Sequence, residues 1–231
     1  MYDLSHSFWN SIYRKNKKRK ESASELVLDF HFRCQARPIP KNLWKDFYDS
    51  TSGAYIHGRI STFLLESQNS YCSYCREKIY HKINSNIEHI LSRLSYPQFT
   101  FTLKNFSAIC ITCNAIKGAK DYHQLDQKVL DYDAHEVALT CYHPNYHKFD
   151  EHINMLCIQT NRIYVRTYVG RTDPGKEFCK AHLVALTTYS YKKSANPAGA
   201  AVIEKLATII AGSDKPNDAI RKMLASLIEK V

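Results

Sequence analysis

Between residues 43 and 65 the apolar residues Leu43, Trp44, Phe47, Tyr48, Tyr55, Ile56, Ile60, Phe63 and Leu64 recur at roughly helical spacing, interrupted near Gly53 and Gly58. That pattern predicts helices packed on a core. Upstream, Val27, Leu28, Phe30 and Phe32 precede Arg37-Pro38-Ile39-Pro40, which predicts a short strand closed by a proline turn. Residues 86–91 and 103–109 are short and apolar-rich and predict two strands. Residues 111–121 run without a breaker until Gly118, so a helix follows the second strand. Further on, residues 153–159 and 162–169 flank Thr160-Asn161 and predict a hairpin. Asp173-Pro174 reads as an N-cap and first helical position opening a helix toward Leu186. Asn196-Pro197 repeats the signal for a helix through Ile210, which Gly212 terminates. Lys215-Pro216 starts a last amphipathic helix with Ile220, Met223, Leu224, Leu227 and Ile228 on one face. The fold class is therefore α+β. The apolar stripe of the last helix fits core packing or a partner surface.

Composition adds a partner class. The 231 residues carry 32 Lys and Arg against 22 Asp and Glu, a formal charge of +10, which favours a polyanion and nucleic acid above all. The run Arg14-Lys15-Asn16-Lys17-Lys18-Arg19-Lys20 reads either as a solvated helix face or tail, or as an arm that contacts phosphates. No apolar run reaches the length of a membrane span and the N-terminus lacks the apolar core of a signal peptide, so a cytoplasmic location without membrane partners is expected. The length is well beyond that of most disulfide scaffolds, so the eight cysteines are not expected to pair. Cys34, Cys141, Cys157 and Cys179 are expected as buried thiols.

The other four cysteines form two Cys-x-x-Cys pairs, Cys72-Ser-Tyr-Cys75 and Cys110-Ile-Thr-Cys113. Four thiolates at this spacing close a tetrahedral zinc site and leave no position open for water, so a structural zinc is expected. Between and just after the pairs lie Glu88-His89-Ile90, Asn105, and Asn114 with Lys117-Gly118. Phosphodiester hydrolysis needs a base for the attacking water and a cation to neutralise charge on the phosphate and leaving oxygen. His89 suits the first role, since an imidazole titrates near neutrality. Glu88 and Asn114 offer hard oxygen ligands suited to magnesium or manganese. Strand alternation sets Glu88 and His89 on opposite faces, so their cooperation requires a local irregularity. Asn114 and Lys117 share a helix face, where Lys117 could contact a phosphate, and Asn105 could hold the loop carrying His89. His81, His123, His143, His147 and His152 lack such neighbours and read as surface residues, with residues 143–152 an alternative lining for a substrate groove.

Taken in order, these residues resemble the HNH endonucleases, the zinc-stapled branch of the His-Me finger nucleases, over about residues 71–120. The resemblance implies a ββα-metal core with structural zinc that cuts DNA with one divalent ion. On it, His89 matches the general base and Asn105 the asparagine that orients it. Glu88 and Asn114 match the catalytic-ion ligands, and Cys72, Cys75, Cys110 and Cys113 the zinc ligands. Glu88 stands where Asp is frequent, and Asn114 where the motif's name has His. The loop after His89 also lacks the usual proline and acidic-glycine turn. Length and flanking segments are similar to HNH subunits of bacterial anti-phage systems, of the Septu-type and retron-associated kind, which pair with an ATPase. No complete Gly-x-x-x-x-Gly-Lys-Ser/Thr loop occurs here, since Gly170-Arg-Thr-Asp-Pro-Gly175-Lys176 is followed by Glu177, so an ATP-dependent gate would lie on a separately encoded partner.

The expected organisation is a basic N-terminal and helical segment over 1–70, a nuclease core over 71–121, and a C-terminal hairpin and helical segment over 122–231 packing on the core or on a partner. Two other readings remain open. One is a catalytically inert zinc-ribbon module for nucleic-acid binding or an adaptor; the other is a stand-alone restriction-type or homing-type HNH enzyme.

Overall fold

The structure, a computed structural model, describes residues 17–36, 39–40, 42–126, 128, 131–133, 139–159 and 164–193. Helix α1 (Lys17–Gln35) takes the place of the strand predicted at residues 27–32. Its buried side chains are Ala23, Val27, Phe30 and Cys34, at helical intervals, while Leu28 and Phe32 are 48% and 67% exposed. Helix α2 (Leu43–Asp49) and helix α3 (Thr51–Ser67) follow, and they part at Ser50 rather than at either glycine. Ser50 is extended, donates its hydroxyl to the Phe47 carbonyl at 2.8 Å and accepts the Gly53 amide at 3.0 Å. Gly53 is needed for the closeness of this corner: a Cβ there would stand 1.8 Å from the Phe47 carbonyl oxygen.

Strand β1 (Ser85–His89) pairs antiparallel with strand β2 (Phe106–Cys110), in a register that sets Ser85 opposite Cys110 and His89 opposite Phe106. Residues 103–105, predicted as strand, instead form a tight 3-10 turn before β2. Helix α4 (Ile111–Lys117) starts directly from β2, with Cys110 as its N-cap, and ends at Gly118, whose φ of 48° lies in the left-handed region. The order strand, loop, strand, helix is thus present. The Gln68 side chain, just past α3, both donates to and accepts from the backbone of Ala108 at 2.8 Å, acting as an extra strand partner for β2.

Helices α1 and α2 bring aromatic rings onto the hairpin. Phe30, Phe47 and Phe101 meet with centroids 5.2 to 5.3 Å apart, and Trp44 lies 5.6 Å from Phe101 and 5.5 Å from Phe106. A second cluster joins Leu91, Tyr96, Phe99 and Tyr132 beneath the loop between the strands.

These elements belong to one compact unit, within Met1–Leu139 and His143–Tyr146. A second lies within Thr140–Tyr142 and His147–Val231. In the second unit, helix α5 (Phe149–His152) leads into strand β3 (Ile153–Gln159), which pairs antiparallel with strand β4 (Tyr164–Gly170) as the predicted hairpin requires. Helix α6 (Asp173–Phe178) continues through a π-helical turn, Cys179–Leu183, into helix α7 (Val184–Lys193), passing the end expected near Leu186. Its cap is Thr172, which accepts the Gly175 amide, so Asp173 is the first helical residue and not the cap. The hairpin turn, residues 14–16 of the basic run, the helices predicted from Asn196 and Lys215, and the stripe from Ile220 to Ile228 lie outside the described residues. Among the described residues no helix is long and apolar enough to cross a membrane.

Candidate functional site

The four cysteines of the paired motifs converge. Their sulfurs all lie within 4.8 Å of one another, and those of Cys75 and Cys110 are 3.7 Å apart. Four sulfurs about 2.3 Å from a tetrahedral zinc are separated by about 3.8 Å, so the donor set fits that ion. The Cys110 amide donates to the Cys72 sulfur and the Cys113 amide to the Cys110 sulfur, as thiolate ligands require. Arg76 closes the first knuckle with φ 59°, its amide donating to the Cys72 carbonyl. The Cys113, Cys72 and Cys75 thiols push the Cys110 thiol strongly down, while burial raises Cys113. None of the eight cysteines is in a disulfide. Burial pushes Cys34 up to about 11 and Cys141 and Cys179 up to about 12, as inert thiols. Cys157 departs from expectation: it is exposed.

The clip grips one end of the hairpin, at Cys110. At the other end, four residues on or about 14 Å away at 3.4 Å per residue, a cavity of about 360 Å³ opens beside His89. Trp44, Glu88, His89, Arg93, Asn114 and Lys117 are among its lining residues. Glu88 and His89 do leave the strand on different sides. Glu88 meets α4, whereas His89 sits edge-on to Trp44, at 4.6 Å, and to Phe106, at 5.1 Å. They share the cavity because it lies at the strand's end, where three consecutive residues, Ile87, Glu88 and His89, all line it.

His89 Nε2 lies 3.0 Å from the Thr100 carbonyl oxygen. A carbonyl only accepts, so the ring proton is on Nε2 and the lone pair on Nδ1. Burial holds the imidazole down at about 3, against the opposing pull of that carbonyl, so the ring is neutral at physiological pH. Lys117, read from sequence as a phosphate contact, is only 1% exposed and places its Nζ 2.9 Å from Glu88 Oε1. Burial raises the Glu88 carboxyl above its ordinary range while the Lys117 charge pulls it back. Asn114, one turn before Lys117 on α4, lines the same cavity.

Asn105 is not in the cavity but fully buried behind it. Its Oδ1 accepts the Leu91 amide at 2.7 Å, and its Nδ2 donates to the Leu91 and Phe99 carbonyls, each at 3.1 Å. These bonds fix which amide atom is which, since a flipped amide would face donors with donors. The loop after His89 is thereby pinned on both sides, and Phe99 adjoins the Thr100 carbonyl that orients the histidine.

Two histidines read as surface residues are buried, His123 at 1% and His143 at 0% exposure, so His143 does not line a groove. His81 is exposed. Sequence reasoning missed Tyr132, whose hydroxyl donates to Asn105 Oδ1 at 3.2 Å. It also missed the role of Trp44 as a wall for the His89 ring. Trp44 could have been found by its place in the helical stripe; Tyr132 carries no local signal. Comparison of the chain with protein-family models, characterised proteins and solved structures gave no match.

Proposed function

We propose that the chain is a metal-dependent endonuclease that hydrolyses phosphodiester bonds in DNA with an HNH-type ββα-metal core. The observation that carries this reading is the single cavity that gathers His89, Glu88, Asn114 and Lys117 at the end of a cysteine-clipped hairpin. His89, neutral and with its lone pair on Nδ1, takes the proton of the attacking water, while Thr100 keeps the ring in that tautomer. Asn105 positions the loop that follows His89 and carries Thr100. Glu88 and Asn114 would hold one magnesium or manganese ion, which when bound neutralises charge developing on the phosphate and leaving oxygen. Lys117 and exposed Arg93 supply positive charge to the same cavity, and the basic chain as a whole supports a phosphate-based grip on DNA.

The test is plasmid cleavage with magnesium or manganese, wild type beside His89→Ala. Cleavage by the wild type and its loss in the variant, with DNA binding retained, is the expected result; equal cleavage by both removes the mechanism. The similarity to HNH subunits of anti-phage systems makes a separately encoded ATPase the expected partner, and co-purification from the native host tests it.

A second reading is favoured by the buried ion pair. Glu88 already has a cation in Lys117, so an inert zinc-clipped module that binds nucleic acid needs no divalent ion there. Unaltered binding without any cleavage, under every divalent ion tried, selects that reading.

A further inference from the structure

The hydrogen bonds of Asn105 do not end at the loop it pins. Tyr132 Oη lies 3.2 Å from Asn105 Oδ1 and 2.7 Å from His143 Nε2. The Asn145 amide donates to His143 Nδ1 at 3.3 Å, which makes Nδ1 the acceptor and leaves the ring proton on Nε2. Each donor then has one direction to go. His143 Nε2–H donates to the Tyr132 oxygen, and the Tyr132 hydroxyl donates to Asn105 Oδ1. With Leu91 N–H on the same oxygen and two carbonyls on Nδ2, the Asn105 amide is fully used.

The segments bearing these two groups are fastened to the same place. Asn145 Nδ2 donates to the carbonyls of Lys104 and Phe106, at 2.7 and 2.9 Å, bracketing Asn105 in the chain. Asp133, beside Tyr132, takes Lys104 Nζ at 2.6 Å and the Tyr146 hydroxyl at 2.7 Å. The Tyr132 ring stands edge-on to Phe99, at 5.1 Å. A residue 54 positions beyond His89 in the chain is therefore joined to it through buried polar contacts: His143 to Tyr132, Tyr132 to Asn105, Asn105 to the Phe99 carbonyl, and the adjoining Thr100 carbonyl to His89.

We infer that Tyr132 and His143 are positioning residues for the candidate base, a buried relay that holds the Asn105 amide and through it the loop that sets the His89 ring. The inference rests on the nuclease reading for its effect on rate, but not for its geometry. Neither residue touches the cavity. Their effect falls on how often His89 is correctly placed, so it enters kcat and leaves the grip on DNA alone.

The experiment uses the full chain, with Tyr132→Phe, His143→Gln and His143→Ala, and two readouts. The first is hydrogen exchange at the Leu91 amide, followed by NMR, which needs no activity. The second is kcat and KM for duplex DNA with manganese, well below the unfolding temperature. Tyr132→Phe keeps the ring against Phe99 and deletes one hydroxyl. It should speed Leu91 exchange and lower kcat by about tenfold each, with KM within about twofold. His143→Gln keeps an amide donor near the place of Nε2 and should recover most of what His143→Ala loses. Wild-type exchange at Leu91 in Tyr132→Phe overturns the relay, as does equal loss in the Gln and Ala variants. If the wild type cuts nothing, the nuclease reading fails while Leu91 exchange still decides the relay.

Discussion

Acid should weaken this fold through His89 in particular. The ring is 7% exposed, walled by Trp44 and Phe106, and burial holds it at about 3 against an ordinary 6.5. A histidine whose folded value is depressed binds its proton in the unfolded chain first, so stability is present above 6.5 and is lost as the pH falls toward about 3. The gap corresponds to about 5 kcal/mol once the pH is below both values, and to about 2 kcal/mol between about pH 7.5 and about pH 5. The comparison is wild type against His89→Phe, which keeps an aromatic ring in the same walls and removes the titrating group. Burial lowers His31, His57 and His147 in the same direction and raises Glu88 in the opposite one, but these are common to both proteins and largely cancel in the difference. Urea unfolding at the two pH values should show the wild type losing about 2 kcal/mol more than the variant. A difference that does not change with pH would refute the buried, neutral ring. So would a cleavage profile with its acid limb at the ordinary histidine value, because a base already deprotonated there has nothing to lose.

The clip should carry one zinc per chain by metal analysis, and chelation should unfold the first unit; folded, metal-free protein would contradict the assignment. Glu88→Gln or Lys117→Met should each cost about 3–5 kcal/mol in chemical denaturation, since each strands a buried charge, whereas the double change should cost much less. Gly53→Ala should lower stability by about 1–3 kcal/mol in thermal melts, because its methyl group would meet the Phe47 carbonyl; an unchanged melt would show that the corner between α2 and α3 relaxes freely.

What the sequence made legible was local. The two cysteine knuckles, the strand pair around Glu88-His89, and the helix that begins at the second knuckle were readable because each is specified by residues a few positions apart. The strand expected at residues 27–32 failed for an instructive reason. Val27, Leu28, Phe30 and Phe32 fit no single face, and the true stripe is seen only when the small or weakly apolar Ala23 and Cys34 are counted with Val27 and Phe30. The strand predicted from residue 103 was shortened because Asn105 spends its side chain on the backbone of Leu91 and Phe99, which favours a turn over a ladder. The burial of His143 was not legible at all. Its partner Tyr132 is 11 residues away, and Asn105, which Tyr132 bonds in turn, is 38 away; no periodicity reports contacts at such distances.

Helix α4 links the cysteine clip to the candidate cavity. It has only seven residues, too few to persist in water on its own, yet it carries Cys113 into the cysteine cluster and presents Asn114 and Lys117 to the cavity within one turn. Its first turn is held by the Cys113 amide on the Cys110 sulfur and its last by the Gly118 amide on the Asn114 carbonyl. Near its C-terminal end the Lys117–Glu88 pair ties the helix to β1, and that pair is favourable only while the helix stays close enough to keep two buried charges together. Loosening the cysteine end would therefore cost more than the clip itself. It would free α4 to swing Lys117 away from Glu88, leaving a buried carboxylate without its partner. On this argument the clip and the cavity stand or fall together, although they occupy opposite ends of the hairpin.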